Sequence, residues 1–291
     1  TGSTASWPIP TCPSVSTRSW PTPGSASPPG PRSCTSTTTS PPSPSPALLA
    51  TNTIAADAKG RLLFAGHLFV ARLGTEEALA LLVPAERADT LLKRLRLYIL
   101  RAKAQATLLD APLAGLFDAR LESGDSQCVR LCGPGERHLL VGPAASPART
   151  GTVEDAQGDW QLADIRAGLP AITAATTGEF VPQMVNLDLL GGISFTKGCY
   201  TGQEIVARMK YLGRVKRRML RFGSAGSAPA PGASLYASRG PVGQVVSSAP
   251  AESGSEFLAV VVLDALPGPL FLDEPQTLRA RRLELPYEIP P

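Results

Sequence analysis

From residue 57 onward, apolar and polar positions alternate in patterns that change period several times. Arg61 to Arg72 and Ala78 to Val83 read as strands on either side of a turn near Gly74. The period then lengthens. Pro84 suits a helix start, and Leu91, Leu92, Leu95 and Tyr98 fall at helical spacing on one face. Ala104–Leu109 reads as a further strand. Strand, strand, helix, strand predicts an α+β layer, an antiparallel sheet with helices on one face.

Further along, Gln127–Leu131 and His138–Val141 read as strands joined through Gly133-Pro134-Gly135. Asp159 is placed to cap a short helix carrying Trp160, Leu162 and Ile165 and ended by Gly168. Beyond Gly213 the pattern turns to short strands, Val215–Phe222, Ser234–Ala237, Gly243–Ser247 and Phe257–Leu263, separated by Gly, Pro and Ser turns. That spacing predicts a small C-terminal β-barrel. Three segments follow: 1–46, an α+β region over 47–222, and a barrel over 223–291.

The first segment stands apart in composition. Residues 1–46 hold 12 Pro, 12 Ser and 9 Thr and no Asp, Glu or Leu, so they carry too little apolar surface to offset the entropy of ordering. They read either as a disordered tail or as text from a shifted reading frame. The chain opens on Thr1 rather than Met, as a partial or processed sequence would.

Composition narrows the chemistry. Cys12, Cys34, Cys128, Cys132 and Cys199 form an odd set with no Cys-x-x-Cys pair, and His67 and His138 lie far from most of them, which argues against a disulfide framework or a structural metal site. Cys128 and Cys132 would share one face of a strand and read as core, and the two histidines as structural or surface residues. No apolar run approaches the roughly 20 residues of a membrane helix and no basic-then-apolar leader is seen, so a cytoplasmic protein is expected.

One motif carries candidate chemistry, Lys197-Gly198-Cys199-Tyr200-Thr201-Gly202-Gln203-Glu204. Gly191-Gly192 reads as a turn, Ile193-Ser194-Phe195 as a short strand, and Thr201-x-x-Glu204 as a capping box opening a helix from about Gly202 to Leu212. Ile205, Met209 and Leu212 would face the core, with Gly213 ending the helix. Cys199 then lies just before a helix N-terminus with Lys197 two residues away. Both features favour a thiolate, the nucleophilic form of cysteine. Gly198 and Gly202 leave room for a ligand or partner. The bland alternative is a small buried cysteine in a tight turn.

Phe180-Val181-Pro182-Gln183, Asn186-Leu187, Leu190-Gly191-Gly192-Ile193-Ser194-Phe195 and Lys197 through Arg208 together resemble the diagnostic stretch of the YgfZ family, within the aminomethyltransferase-like superfamily. The resemblance covers most of 47–291 and none of 1–46. It implies ferredoxin-like α+β units of the folate-binding fold plus a terminal barrel, tetrahydrofolate as cofactor, and a role in maintaining iron–sulfur enzymes or assembly proteins, including those that modify tRNA. It implies Cys199 and Lys197 as the reactive centre. Trp160 matches a folate-associated tryptophan and would wall a flat pterin, with Tyr200, Gln203 and Glu204 nearby in the motif. The family's opening strand, with another tryptophan, and its Gln-Gly-Gln helix are replaced here by the Ser/Thr/Pro text.

Two other readings compete. An active aminomethyltransferase of glycine cleavage has acidic residues where this chain reads Gly60-Arg61-Leu62-Leu63-Phe64, and a glutamate where it reads Arg166. Without those carboxylates no group is evident to handle an amine proton. Separately, residues 197–221 carry eight basic residues against the single acid Glu204. This stripe, with Tyr211 inside it, reads as a direct contact with the phosphates of tRNA, or equally as a site for a folate's polyglutamate tail or an acidic protein. Arg208, Arg214 and Arg217 would serve the anionic partner, and an indirect or weak tRNA contact is the milder form of the same reading. The bland reading is a solvated surface.

Overall fold

In the computed structural model, the described residues are 4–7, 12–17, 48–73, 76–100, 102–109, 113–117, 128–131, 137–141, 157–211 and 213–290; for the first two segments and 48–49 the backbone alone is described. The fold is α+β, two five-stranded sheets and a closed barrel, with one core between the two sheets, one between the first sheet and the barrel, and one inside the barrel.

The first sheet has the order β4 (Thr51–Ala56), β5 (Leu62–Leu73), β6 (Glu76–Leu82), β2 (Cys12–Thr17), β7 (Ala104–Leu109), all antiparallel. Side chains alternate across it. Phe64 joins Val83, Ala88 and Leu91 under helix α1 (Ala85–Tyr98), while Ala65, Phe69 and Ala71 face the other way into the interior. Pro84 caps α1 as the sequence predicted. Ala88, Leu91 and Leu92 are its buried residues, each leucine contributing about 2 kcal/mol of burial. Tyr98, expected on that face, is instead 62% exposed, with the Arg94 guanidinium over its ring.

The second sheet runs β1 (Thr4–Trp7), β8 (Leu113–Phe117), β10 (Arg137–Val141), β9 (Cys128–Leu131), β3 (Leu48–Leu49), with only β3 and β9 parallel. Thr4–Trp7 and Cys12–Thr17 thus take up strands inside a stretch expected to be unstructured or misread. Strand pairing needs backbone N–H and C=O groups, which this composition supplies at its non-proline positions. The remainder of 1–47 lies outside the described residues, as do Cys132 and the side chain of Cys128.

Helix α2 (Gln157–Arg166) packs Leu162 and Ile165 into a core shared by the first sheet and the barrel. Asp159 lies in its first turn rather than at the cap, since the helix starts at Gln157, three residues earlier than a cap at Asp159 implies. The barrel closes in the order β11 (Arg217–Ser224), β14 (Gly254–Val262), β13 (Gly240–Ala251), β12 (Ser234–Ala237), β15 (Leu270–Phe271), β16 (Arg279–Leu283). Its first strand straddles the 222/223 division. Leu235, Val245, Phe257, Ala259 and Val261 fill its interior.

Candidate functional site: the Lys-Gly-Cys loop

The turn Asp57–Gly60 between β4 and β5 sets one wall of the site. The Asp57 carboxylate accepts the backbone N–H groups of Lys59 and Arg61 at 2.9 and 2.8 Å, and the Gly60 N–H donates to the Asp57 carbonyl at 3.0 Å. Against this turn lies Gly202, at φ +81°. A Cβ on Gly202 would stand 2.4 Å from the Asp57 carbonyl and 2.8 Å from the Gly60 Cα. The glycine therefore serves an internal close approach, whereas a Cβ on Gly198 would meet nothing within 4 Å.

Helix α3 (Gln203–Tyr211) follows. The capping interaction falls one residue earlier than Thr201-x-x-Glu204 predicts: the Tyr200 N–H donates to Gln203 Oε1 at 3.2 Å, and the Gln203 N–H to the Tyr200 carbonyl at 3.1 Å. Glu204 points to solvent and pairs with Arg208 at 3.6 Å. The buried residue of α3 is Val206 rather than Ile205 or Met209, which are half-buried; Leu212 lies outside the described residues. The helix is rotated because it packs on the Pro182–Val185 turn, where Gln183 Nε2 donates to the Val206 carbonyl at 2.7 Å.

Cys199 is exposed and free of any disulfide. Its loop is tied on both sides: Ser194 Oγ accepts the Lys197 N–H at 3.2 Å, and Gln203 holds Tyr200. Ile193–Phe195 is irregular backbone here, not a strand, since no neighbouring strand pairs with it among the described residues. The Lys197 ammonium lies 4.6 Å from the centre of the Tyr200 ring, a cation–π contact. Burial pushes the Tyr200 phenol up, and its hydroxyl has no partner among the described residues.

Trp160 belongs to a different neighbourhood. Its ring lies on Gly115, where a Cβ would come 2.5 Å from ring atoms, and the Arg137 guanidinium sits 5.3 Å from the ring centre. Arg137, 2% exposed, pairs with Asp164 at 2.6 Å. His67 of β5 feels the same pair: burial lowers its pKa, Asp164 opposes that, and Arg137 adds to it. Trp160, Arg137, Asp164 and His67 thus form one polar cluster beside an apolar core, while Tyr200, Gln203 and Glu204 lie at the start of α3.

Sequence reasoning missed the residues that hold these parts together. Asn186, at φ 60°, donates from Nδ2 to the Met219 carbonyl at 2.7 Å and to the Tyr287 hydroxyl at 3.2 Å; that hydroxyl donates in turn to the Gly168 carbonyl at 2.9 Å. Arg218 makes a bidentate pair with Asp188 at 2.7 and 3.0 Å and also donates to the Gln183 carbonyl at 2.7 Å. Asn52 of β4 reaches the Leu190 carbonyl at 2.8 Å. The signal available in the sequence was polar residues set among apolar ones in Gln183 to Leu190. Arg166, for its part, clamps Glu256 of the barrel together with Arg221, at 2.9 and 2.6 Å.

Arg208, Arg214 and Arg217, expected to meet an anionic partner, are all exposed. Among the described residues no group of three or more His, Cys, Asp or Glu is placed to hold a metal ion, and no helix is long and apolar enough to cross a membrane.

Two layered sheets with a closed barrel define the aminomethyltransferase fold: the glycine cleavage system aminomethyltransferase T of Bartonella henselae superposes with a TM-score of 0.59, over 97% of this chain and 84% of that one, at 12% identity. The chain is a homologue of curated proteins named tRNA-modifying protein YgfZ, at 38% identity over 201 residues with that of Escherichia coli (62% of this chain, 61% of the relative) and 37% over 171 residues with that of Serratia proteamaculans (52% of each). The family resemblance read from the sequence is therefore borne out. The chain spans between half and two thirds of the length of these relatives. No protein-family model matches it.

Proposed function

We propose that this chain is a tetrahydrofolate-binding accessory protein that supports iron–sulfur enzymes, and through them tRNA modification, with Cys199 as its reactive centre. The observation that carries this reading is an exposed, unbridged cysteine on a loop fixed at both ends, in a homologue of proteins named for tRNA modification. A mobile surface cysteine needs no such bracing.

The residues present fit a folate. Trp160 offers an aromatic wall beside the Asp164 carboxylate and the His67 ring, groups suited to a flat heterocycle with polar edges. In the separate neighbourhood of the Cys199 loop, the Tyr200 hydroxyl is a buried polar group without a partner among the described residues. Gln203 and Glu204 act on the loop itself, one by bracing Tyr200 and the other through Arg208. Bound folate would supply a one-carbon carrier; the chain's own residues bind and orient it. Cys199 presents its thiol to solvent, where a partner protein reaches it, and Lys197 keeps a positive charge two residues away. A lone cysteine cannot hold a cluster alone, so any iron–sulfur contact draws its other ligands from the partner. This is a cytosolic activity in the same reading. Transfer of a one-carbon unit by the chain itself is disfavoured, because Arg166 is committed to Glu256 and the run Gly60–Phe64 offers no carboxylate.

The test replaces the relative's gene in a bacterium lacking it with this chain or its Cys199→Ala form, and measures tRNA nucleosides made by iron–sulfur enzymes by mass spectrometry. Calorimetry with tetrahydrofolate runs beside it. The expected result is folate binding by both forms and modification restored only by the parent. Equal restoration by Cys199→Ala removes the cysteine from the mechanism, and no heat of folate binding removes the cofactor.

A further inference from the structure

The basic residues of 197–221 fall into two groups once their partners are known. Arg218 and Arg221 are neutralised internally by Asp188 and Glu256, and Arg208 is offset by Glu204 one turn away. Lys197, Lys210, Arg214, Lys216 and Arg217 are exposed and pair with no carboxylate among the described residues. Two of them lie on aromatic rings. Lys210 Nζ is 3.7 Å from the centre of Phe195 and 5.5 Å from that of Tyr211, and the two rings meet edge to face at 6.3 Å. Tyr211 is 67% exposed.

A cavity of about 390 Å³ adjoins this face; Phe195, Met209, Lys210, Arg214 and Gln183 line it together with Arg218 and Asp188, which neutralise each other. Gln183 is 1% exposed; its Nε2 is taken by the Val206 carbonyl, and its Oε1 has no partner among the described residues. A buried amide oxygen without a partner is unfavourable until a donor reaches it. The site therefore asks for three things at once: negative charge between Lys210 and Arg214, a flat surface for Tyr211, and a hydrogen-bond donor.

We propose that this face binds single-stranded RNA, with a phosphate between Lys210 and Arg214, a base stacked on Tyr211, and a ribose or base-edge donor at Gln183 Oε1. Unpaired cations interleaved with exposed aromatic rings are the pattern that tracks a single strand: charge follows the backbone and rings take bases of any sequence. An acidic peptide satisfies the cations but brings no flat surface for Tyr211. The choice of RNA rests on the tRNA-linked reading above, but the site is separate from Cys199 chemistry, and binding is measured without folate and without assaying modification, so either idea can fail alone.

The experiment is fluorescence anisotropy of a labelled single-stranded RNA of about 12 nucleotides titrated with the full chain at several salt concentrations. Neutralising the pair as Lys210→Gln with Arg214→Gln is expected to weaken binding at least about tenfold and to lower the slope of log affinity against log salt by about 0.7, the single-strand value for the one phosphate they share. Tyr211→Ala weakens binding at least about fivefold with the slope unchanged. Arg279→Gln with Arg281→Gln, on barrel strand β16, stays within about twofold because that surface lacks the ring array. Matching thermal midpoints show that each variant is folded. The proposal is overturned by absence of binding at low salt, by equal weakening from the barrel pair, by equal affinity for a duplex, or by displacement of the RNA by oligo-glutamate at matched charge, which would assign the face to an acidic protein.

Discussion

Gly202 and Gly60 touch backbone to backbone: a Cβ on Gly202 would stand 2.8 Å from the Gly60 Cα, and one on Gly60 would stand 3.1 Å from the Ile205 Cβ. This contact seats the start of α3, and with it the Cys199 loop, on the β4–β5 turn.

Gly202→Ala is accordingly expected to destabilise. A left-handed backbone costs a residue with a Cβ about 1–2 kcal/mol, and the displaced turn adds to that. Urea unfolding should show a loss of at least about 2 kcal/mol, while Gly198→Ala, with open space around it, stays within about 0.5 kcal/mol. Equal losses at both positions would mean that the contact is not holding the loop.

Tyr287 yields a prediction in alkali. Burial, the larger influence, raises its phenol from the usual 10 to about 12, against the smaller opposing effect of the Asn186 hydrogen bond. The folded state thus keeps a proton that the unfolded chain gives up near pH 10. The stability so contributed is intact below pH 10 and lost as pH climbs from 10 through 12, about 2–3 kcal/mol in all. Ultraviolet titration should find one tyrosine ionising near the end of that window, and denaturation of Tyr287→Phe should show a shallower alkaline fall with a loss of about 1–2 kcal/mol at neutral pH.

On the acid side two groups act in sequence. His67 has its pKa lowered from 6.5 chiefly by burial, so the unfolded chain takes up a proton that the folded one refuses, and stability falls as pH drops below 6.5. Glu256 follows at lower pH. Burial would raise it, but hydrogen bonds from Arg166 and Arg221 outweigh burial and hold it below the usual carboxylate value, so its contribution is present above about pH 4.5 and lost as pH falls further. His67→Leu should flatten the first decline in urea midpoints and leave the second.

The two arginines on Glu256 differ in depth, and their removal should differ too. Arg221 is 19% exposed and Arg166 47%. Glu256→Gln, which strands both, is expected to cost about 3 kcal/mol, and Arg166→Ala under about 1 kcal/mol. A cost from Arg166→Ala as large as that of Glu256→Gln would show that α2 depends on the barrel far more than exposure implies.

Local patterns were legible in the sequence where burial has a period. Leu91 and Leu92 marked α1, and the short Gly- and Pro-spaced runs beyond Gly213 marked the barrel. The motif also placed Cys199 on a loop before a helix. What was not legible depends on distance along the chain. Asn186 reaches Tyr287 across 101 residues and Gln183 reaches Val206 across 23, and neither pairing leaves a trace in spacing or composition. The same long-range bond turned α3 so that Val206, not Ile205, is buried. Arg166 looked like a missing glutamate, yet its partner Glu256 lies 90 residues away.

The Tyr287 hydroxyl donates to Gly168 and accepts from Asn186, residues made more than a hundred positions earlier. Synthesis runs from the N-terminus, so the 186 corner of the loop waits for its phenol until residue 287 has left the ribosome. A product that ends before that tyrosine leaves the Gly168 carbonyl without its donor and the Asn186 side chain with one partner fewer, so the junction between the Gly168 turn and the Asn186 corner closes last.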